Sequence, residues 1–291
     1  MTQQPQIVFI TSEMRSGSTF LSYVLGTNPQ SAHLGEFRRP WRLGAKSSCR
    51  LCEAKGYEVC EVLGDLSEIS AMDAHRHALN CFEHFGVTIL IDASKNMDWI
   101  EEVIGHYSLH HSDIACKIIH LVREPRGWIS SERRRQQAMT IQSGVQRWKD
   151  HFYATSERIR ALSVDCIRIT YEEILLSRET ALRRLSQLIG FSQNSSQYEY
   201  WTKEHHGFGG NGAAYNNLGR FSATACQTGD DSFYTKNQAK TFYDCRWSQE
   251  PDSDALNQLV RDPSIQEILD QCGTSFEMID AALKESPDVQ V

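Results

Sequence analysis

The stretch Ser12-Glu13-Met14-Arg15-Ser16-Gly17-Ser18-Thr19-Phe20-Leu21 follows the apolar run Ile7-Val8-Phe9-Ile10. An apolar run, a loop of small polar residues and a second apolar segment predict a strand, a tight loop and a helix. The start of a helix favours an anion, because it presents unpaired N–H groups and the positive end of the helix dipole. The loop lacks the Gly-x-x-x-x-Gly-Lys-Ser/Thr pattern of nucleotide triphosphatases, and Arg15 supplies its charge instead. We therefore expect an anion-binding loop that is not built around Mg-ATP.

The rest of the chain alternates between two kinds of segment. Short segments rich in Ile or Val are typical of parallel strands buried on both faces, and segments with helical periodicity separate them. This alternation predicts an α/β fold, with a P-loop-like parallel β-sheet flanked by helices on both sides. The predicted strands are residues 6–11, 88–92, 117–122 and 166–170. The predicted helices are residues 17–25, 69–85, 97–107, 126–138, 142–162 and 180–189.

The 291 residues contain no internal repeat and no linker between two units, so we expect a single domain, residues 1–291. Two irregular insertions interrupt the pattern, near residues 35–60 and 202–247. Irregular segments of this length are usually functional lids or disordered.

Charge argues against a general nucleic-acid-binding protein. The formal net charge is −7, and acidic residues gather between Glu250 and Asp288. Focused basic segments in an acidic protein suit a small polyanionic ligand, although residues 133–135 could equally be a solvated helix face. The basic residues gather in two groups, Arg15, Arg38, Arg39, Arg42, Lys46 and Arg50, and then Lys117, Arg123, Arg126, Arg133, Arg134 and Arg135.

The sequence predicts neither a membrane segment nor a signal peptide. No apolar run approaches the roughly 20 residues that span a bilayer. Residues 1–5 have no basic region, and no signal-like apolar core follows them. We expect a cytoplasmic protein without a membrane partner, in which most of the nine cysteines are reduced thiols.

Polar residues follow three of the predicted strands. Arg15 to Thr19 come after the first, Ser94-Lys95 after the second and Arg123 after the third. Ligands of parallel α/β sheets bind at the carboxyl ends of the strands. The sequence therefore predicts one anion site at this edge of the sheet.

Four segments occur in an order that carries a family resemblance. They are Arg15-Ser16-Gly17-Ser18-Thr19, then Leu121-Val122-Arg123-Glu124-Pro125-Arg126 with Ser131 eight positions after Arg123, then Ile167-Arg168-Ile169-Thr170-Tyr171-Glu172-Glu173, and His206-Gly207-Phe208-Gly209-Gly210-Asn211. This arrangement resembles the sulfotransferases that use 3′-phosphoadenosine 5′-phosphosulfate (PAPS). The four segments span about two thirds of the chain.

The resemblance implies a role for each segment. Arg15, Ser16, Gly17, Ser18 and Thr19 would bind the 5′-phosphosulfate of the donor PAPS. Arg123 and Ser131 would bind its 3′-phosphate, and Tyr171 would lie near the adenine. Gly209, Gly210 and Asn211 would close over the nucleotide. The product would be adenosine 3′,5′-bisphosphate (PAP), and no metal would be required.

The resemblance also implies catalytic residues. Thr27-Asn28-Pro29 followed by Gly35-Glu36 is similar to tyrosylprotein sulfotransferases and to bacterial carbohydrate or small-molecule sulfotransferases. Glu36 would then be the general base, while Lys95 and Arg15 would stabilise the leaving group. The alternative base is a histidine, and the candidates are His106, His110 and His111.

Two features depart from the pattern or leave it open. Related enzymes often place an Arg within a few residues of the Gly-Asn segment, but here the next one is Arg220, so the basic residue of this loop stays open. Cys49-x-x-Cys52 with Cys60 could begin a zinc site, with a fourth ligand such as His75, His77 or Cys81, or these cysteines could be free thiols or a labile disulfide. We expect free thiols or a labile disulfide rather than zinc. Asp230-Asp231 could bind a cation in the acceptor pocket or form a solvated turn.

We expect an enzyme that moves a sulfuryl group from PAPS to a hydroxyl or amine of a small polar acceptor. The acceptor would be a bacterial secondary metabolite, with guanidinium alkaloids of the saxitoxin type as one candidate. The alternatives are a P-loop kinase-like phosphotransferase and a catalytically silent nucleotide-binding module.

Overall fold

A computed structural model describes residues 4–42, 48–216, 218, 233 and 236–286. Its centre is a five-stranded parallel sheet with strand order β2-β3-β1-β4-β5. The sheet confirms the predicted α/β fold. The strands are β1 (Gln6–Thr11), β2 (Ser31–Gly35), β3 (Ile89–Asp92), β4 (Ala115–Val122) and β5 (Asp165–Thr170).

Strand β2 is the one strand of this sheet that the sequence analysis did not predict. Its sequence, Ser-Ala-His-Leu-Gly, has no β-branched residue and only two apolar side chains, yet all five residues are buried. The buried polar groups have partners, since Ser22 Oγ lies 2.6 Å from His33 Nδ1 and Lys203 Nζ donates to the carbonyl of Ser31. Tertiary contacts therefore make the strand, and local propensity does not.

The predicted helices are present with shifted bounds. The predicted helix 69–85 begins only at Ala74, because residues 70–73 form turns. The predicted helix 126–138 begins at Pro125 and ends at Arg133. Within the described residues the α-helices are α1 (Ser18–Gly26), α2 (Arg39–Arg42), α3 (Arg50–Ala54), α4 (Ala74–Phe82), α5 (Met97–His110), α6 (Pro125–Arg133), α7 (Ile141–Ala161), α8 (Tyr171–Leu176), α9 (Arg178–Ile189), α10 (Gly212–Asn216), α11 (Ser253–Asn257), α12 (Pro263–Gln271) and α13 (Phe276–Glu285).

Helices cover both faces of the sheet, as predicted. Side chains of β1 alternate between the faces, so that Ile7 and Phe9 pack with α4 and α5, while Val8 and Ile10 pack with α1, α8 and α9. A third apolar cluster joins α6 and α7 to the C-terminal helices α12 and α13. None of the helices described is long and apolar enough to cross a membrane.

The parallel strands all end at the same edge, and this edge positions the candidate site. The loop before α1 follows β1, Glu36 follows β2, and Lys95 lies between β3 and α5. Arg123 follows β4 and Tyr171 follows β5. Every strand therefore delivers a predicted site residue to the same edge.

Candidate active site

The loop between β1 and α1, which the sequence analysis predicts to bind an anion and which is called the anion loop below, packs against an aromatic ring. Gly17 precedes α1 with a φ of 92°, in the left-handed region. A Cβ atom at this position would lie 2.4 Å from Cδ2 of Tyr171. Glycine is required here both by the backbone conformation and by the close approach of this ring.

Arg123 lies beneath this loop. Its guanidinium donates to the carbonyl oxygens of Arg15 and Asp244, at 3.2 Å each, and lies 4.7 Å from the centre of the Tyr171 ring. Arg15 Nε in turn donates to Ser131 Oγ at 2.7 Å. The structure therefore places the predicted 5′-phosphosulfate and 3′-phosphate residues next to each other.

The start of α6 fixes the backbone next to Arg123. The Glu124 carboxylate accepts hydrogen bonds from the backbone N–H groups of Arg126 and Gly127, and Pro125 occupies the first turn. Trp148 Nε1 donates to the carbonyl of Arg123 at 2.9 Å. The guanidinium thus comes from a rigid strand-to-helix junction.

Glu36 and Lys95 form an ion pair at the other side of the loop. Glu36 Oε1 lies 2.5 Å from Lys95 Nζ, and both side chains are partly exposed. Lys95 has a φ of 64°, uncommon for a residue other than glycine, and its carbonyl accepts from Thr11 Oγ1. A carboxylate and an ammonium in contact provide a proton acceptor and a positive charge at one point.

Asp92 holds the loop that carries Lys95. Its Oδ1 accepts from the backbone N–H of Ser94 at 2.8 Å, and its Oδ2 contacts His75 Nε2 and accepts from Trp99 Nε1, at 3.0 Å each. Burial would raise the pKa of Asp92, but the His75 and Ser94 hydrogen bonds outweigh burial and lower it. The loop is therefore anchored on a buried carboxylate.

The segment His206 to Asn211, called the Gly-Asn segment, lies between Glu36 and the loop before α1. The backbone N–H of Glu36 donates to the Phe208 carbonyl at 2.6 Å, and Phe208 N donates to Leu34 O at 2.8 Å. Further along, the N–H of Asn211 donates to Thr19 Oγ1 at 3.1 Å. The segment thus connects β2 to α1 across the site.

The loop before α1, Arg123 and the Glu36–Lys95 pair surround one cavity of about 320 Å³. Two predicted residues, Ser16 and Gly209, do not line it. Gly209 packs between Glu36 and Arg39. The predicted residues that line it are Arg15, Gly17, Ser18, Thr19, Glu36, Lys95, Arg123, Ser131, Tyr171, Gly210 and Asn211.

The cavity has further polar walls that the sequence analysis did not assign to the site. Arg135, Lys240 and Asp244 line it. Burial would raise the pKa of Asp244, but the Arg246 hydrogen bond and the nearby charges of Arg123 and Arg134 lower it to about 2. Arg135 belongs to a basic run visible in the sequence, whereas Lys240 and Asp244 lie in a segment without periodicity. Arg220 and Asp230-Asp231 lie outside the described residues.

The alternative histidines lie elsewhere. His106, His110 and His111 are at the C-terminal end of α5, and none of them lines the cavity. Lys95 precedes the N-terminal end of this helix of 14 residues. At 1.5 Å per residue the helix is about 20 Å long. These histidines are therefore not placed to accept a proton in the cavity.

A group of possible metal ligands lies outside the cavity. Cys49, Cys52 and Cys60 meet His206, a residue that was not among the expected fourth ligands. His75 is bonded to Asp92, and His77 Nε2 contacts both the Leu63 carbonyl and Cys81 Sγ. The fourth partner thus comes from the Gly-Asn segment.

The sheet order and the loop before α1 define an α/β protein with a P-loop-like anion loop. Within this class the structure resembles the "Sulfotransferase Domain from the Curacin Biosynthetic Pathway", with a TM-score of 0.51 and 15% identity over 94% of this chain and 99% of that one. This likeness confirms the predicted sulfotransferase fold.

A "Sulfotransferase Domain from the Synechococcus PCC 7002 Olefin Synthase" also matches, with a TM-score of 0.45 and 18% identity over 70% of this chain and 82% of that one. No protein-family model matches the chain, and no curated protein matches its sequence.

Proposed function

We propose that the protein is a sulfotransferase that moves a sulfuryl group from PAPS to a hydroxyl or amine of a small polar acceptor. One observation carries this proposal. The start of α1, the Arg123 and Ser131 pair and the Glu36–Lys95 ion pair all face a single cavity. The cavity therefore combines two anion-binding positions with a proton acceptor.

The donor would occupy the anion loop and the adjacent pocket. N–H groups at the start of α1 and the Arg15 guanidinium suit the 5′-phosphosulfate. Arg123 and Ser131 suit the 3′-phosphate, because a guanidinium binds phosphate through paired hydrogen bonds. The ring of Tyr171 would pack against the adenine. Lys240 is our candidate for the basic residue that the sequence left open in residues 202–247, and Arg135, which follows α6, would add a second positive charge to the cavity.

In the transfer step, the acceptor gives its proton to Glu36 while its oxygen or nitrogen forms a bond to sulfur. The bond from sulfur to the bridging phosphate oxygen breaks, and PAP leaves with the electron pair. By analogy with phosphoryl transfer, the transition state is loose and in line. Negative charge grows on the bridging oxygen, where Lys95 and Arg15 neutralise it.

The reaction needs no metal in this proposal. The leaving group is a phosphate, which is stable as an anion without a metal, and the loop lacks the Lys-Ser/Thr pair that organises Mg²⁺ in nucleotide triphosphatases. The transfer therefore depends on the positive side chains of the cavity.

The acceptor is proposed to be a small molecule of secondary metabolism. The two carboxylates that line the cavity, Glu36 and Asp244, are both paired with basic side chains. The net charge of −7 for the whole chain suits an acceptor with a positive group. A guanidinium alkaloid of the saxitoxin type is the narrower candidate.

The test is transfer of labelled sulfate from PAPS to a panel of small hydroxyl and amine acceptors, with calorimetric titrations of PAPS and ATP alongside. Label on an acceptor together with release of PAP, without added Mg²⁺, supports the proposal. Mg-dependent turnover of ATP would favour the kinase-like alternative. Binding of PAPS without turnover on any acceptor would favour the silent module.

A further inference from the structure

Three cysteines and one histidine from distant parts of the sequence lie side by side. Cys49, Cys52, Cys60 and His206 are all buried, and their sulfur and nitrogen atoms lie within 4.8 Å of one another. Each of the three Sγ atoms is 3.6 Å from His206 Nδ1. We propose that these four side chains form a structural zinc site, separate from the cavity.

The distances fit a single tetrahedral ion. Zinc lies ~2.3 Å from a cysteine sulfur and ~2.0–2.1 Å from a histidine nitrogen, so a tetrahedral angle separates sulfur and nitrogen by about 3.6 Å. All three separations between sulfur and nitrogen in the structure have this length. An iron–sulfur cluster does not fit, because it places several iron and sulfide atoms between its ligands.

The surrounding backbone suits thiolates, the form of cysteine that binds metals. Cys49 Sγ accepts from the N–H of Cys52, Cys52 Sγ from the N–H of Glu61, and Cys60 Sγ from the N–H of Leu63, each at 3.4 Å. Such hydrogen bonds orient ligands and stabilise their negative charge.

The chemistry of the ligand set favours zinc. Three thiolates and one imidazole are soft and borderline ligands, and the Cys₃His set is one of the common structural zinc sites. All four positions are filled by protein side chains, which is the arrangement of a structural site, whereas a catalytic zinc keeps one position open. The three cysteines form no disulfide with one another.

The site would join the segment around α3 to the Gly-Asn segment, which lines the cavity at Gly210 and Asn211. Cys49, Cys52 and Cys60 belong to the segment around α3, while His206 begins the Gly-Asn segment. Arg50 reinforces the junction, since its N–H donates to the Gly207 carbonyl and its guanidinium donates to the Gly210 carbonyl. Zinc would therefore fix the segment that lies between Glu36 and Thr19.

The first measurement is the metal content of the full chain, expressed with zinc and purified under reducing conditions without a chelator. We expect elemental mass spectrometry to find one zinc per chain. Replacement of zinc by Co²⁺ should give the visible absorption bands of a tetrahedral cobalt thiolate. These readouts do not depend on activity, so they stand apart from the test of the proposed function.

Matched variants assign the ligands. Cys60→Ser and His206→Ala should lose most of the bound zinc and unfold at lower temperature. Cys166→Ser should still bind one zinc per chain, because Cys166 is exposed and lies outside the cluster. His206→Cys replaces one zinc ligand by another and should also retain the metal.

The proposal fails if the wild-type chain binds less than a stoichiometric amount of zinc after reconstitution, or if its cobalt form lacks thiolate absorption. It also fails if Cys60→Ser retains as much zinc as Cys166→Ser. If Cys60→Ser is insoluble, the cobalt spectra of the wild type and His206→Cys decide the question.

Discussion

At the residue scale, the proposed transfer depends on the contact between Glu36 and Lys95. Arg38 and Arg39 follow Glu36 closely in the sequence and would be its local ion-pair partners. In the structure its partner is Lys95, at the wall of the cavity. The Lys95 ammonium lies beside the Glu36 carboxylate, and in the proposed reaction it would also contact the phosphate of the donor.

We expect Glu36→Gln to lower turnover by roughly 10²–10⁴ with little change in PAPS affinity, because the amide cannot accept the proton. Single-turnover kinetics and calorimetry measure the two quantities. Glu102→Gln, an exposed change on α5, is the control. Near-normal turnover of Glu36→Gln would remove this residue from the mechanism.

Arg123→Ala tests the 3′-phosphate position. Loss of a charged hydrogen bond should weaken PAP binding by about 1.5–3 kcal/mol. Adenosine 5′-phosphosulfate lacks the 3′-phosphate, so its affinity should change much less. The comparison of two ligands on one variant controls for any disturbance of Tyr171, which packs on the guanidinium. Equal losses in calorimetry would show that Arg123 does not bind this phosphate.

The sequence predicted part of the site because those residues follow strands. Arg15, Lys95 and Arg123 come directly after apolar runs, and the carboxyl ends of parallel strands converge. Asp244 could not be found this way, because it lies in a segment without periodicity. His206 is part of the Gly-Asn motif, but its contact with Cys49 was not predicted. The two residues are 157 positions apart, so the contact leaves no local pattern in the sequence.

At the element scale, the start of α1 depends on the absence of a side chain at Gly17. Gly17→Ala should destabilise the fold by about 1–2 kcal/mol and weaken PAP binding, because the new methyl group meets Tyr171 in a left-handed backbone. Chemical denaturation and calorimetry measure both effects.

Gly105→Ala is the matched control, since a Cβ there meets nothing within 4 Å in the middle of α5. That change should stabilise the protein by about 0.5–1 kcal/mol through helix propensity. If Gly17→Ala behaves like Gly105→Ala, the loop is not held against Tyr171 as described.

The sequence predicted those strands whose amino-acid composition alone favours a buried β-strand. The strands β1, β3, β4 and β5 are rich in Ile or Val, and β1 and β3 are buried along their whole length. Strand β2 instead carries Ser31 and His33 into the interior. Lys203 helps to hold β2 in place, because its ammonium donates to the carbonyls of Gly26, Asn28 and Ser31. Nothing in the sequence near β2 predicts its contact with Lys203, which lies about 170 residues further along the chain.

At the scale of the whole molecule, one buried carboxyl should make stability depend on pH. Glu172 is 1% exposed, and burial, together with the charge of Glu124, raises its pKa to about 8. In the unfolded chain a Glu titrates near pH 4.3. The folded state therefore binds an extra proton between these values, and its stability falls as pH rises toward 8.

Glu172→Gln should remove this component. Between pH 5 and 8 the unfolding free energy of the wild type should fall relative to that of the variant, by at most about 1.4 kcal/mol per pH unit. Urea titrations across this range give the difference. Glu157→Gln, an exposed change on α7, should track the wild type, and parallel pH profiles for all three proteins would contradict the assignment.

The pairing of Phe208 with β2 has a consequence for association between molecules. Strand β2 lies at the edge of the sheet, where unpaired backbone groups invite a strand from another chain. Here the carbonyl of Leu34 and the N–H of Glu36 are already taken by Phe208. Because His206 lies two residues before Phe208, loss of the proposed zinc would remove one of the contacts that hold the segment covering this edge. Metal-depleted protein should then aggregate by intermolecular strand addition before its core unfolds.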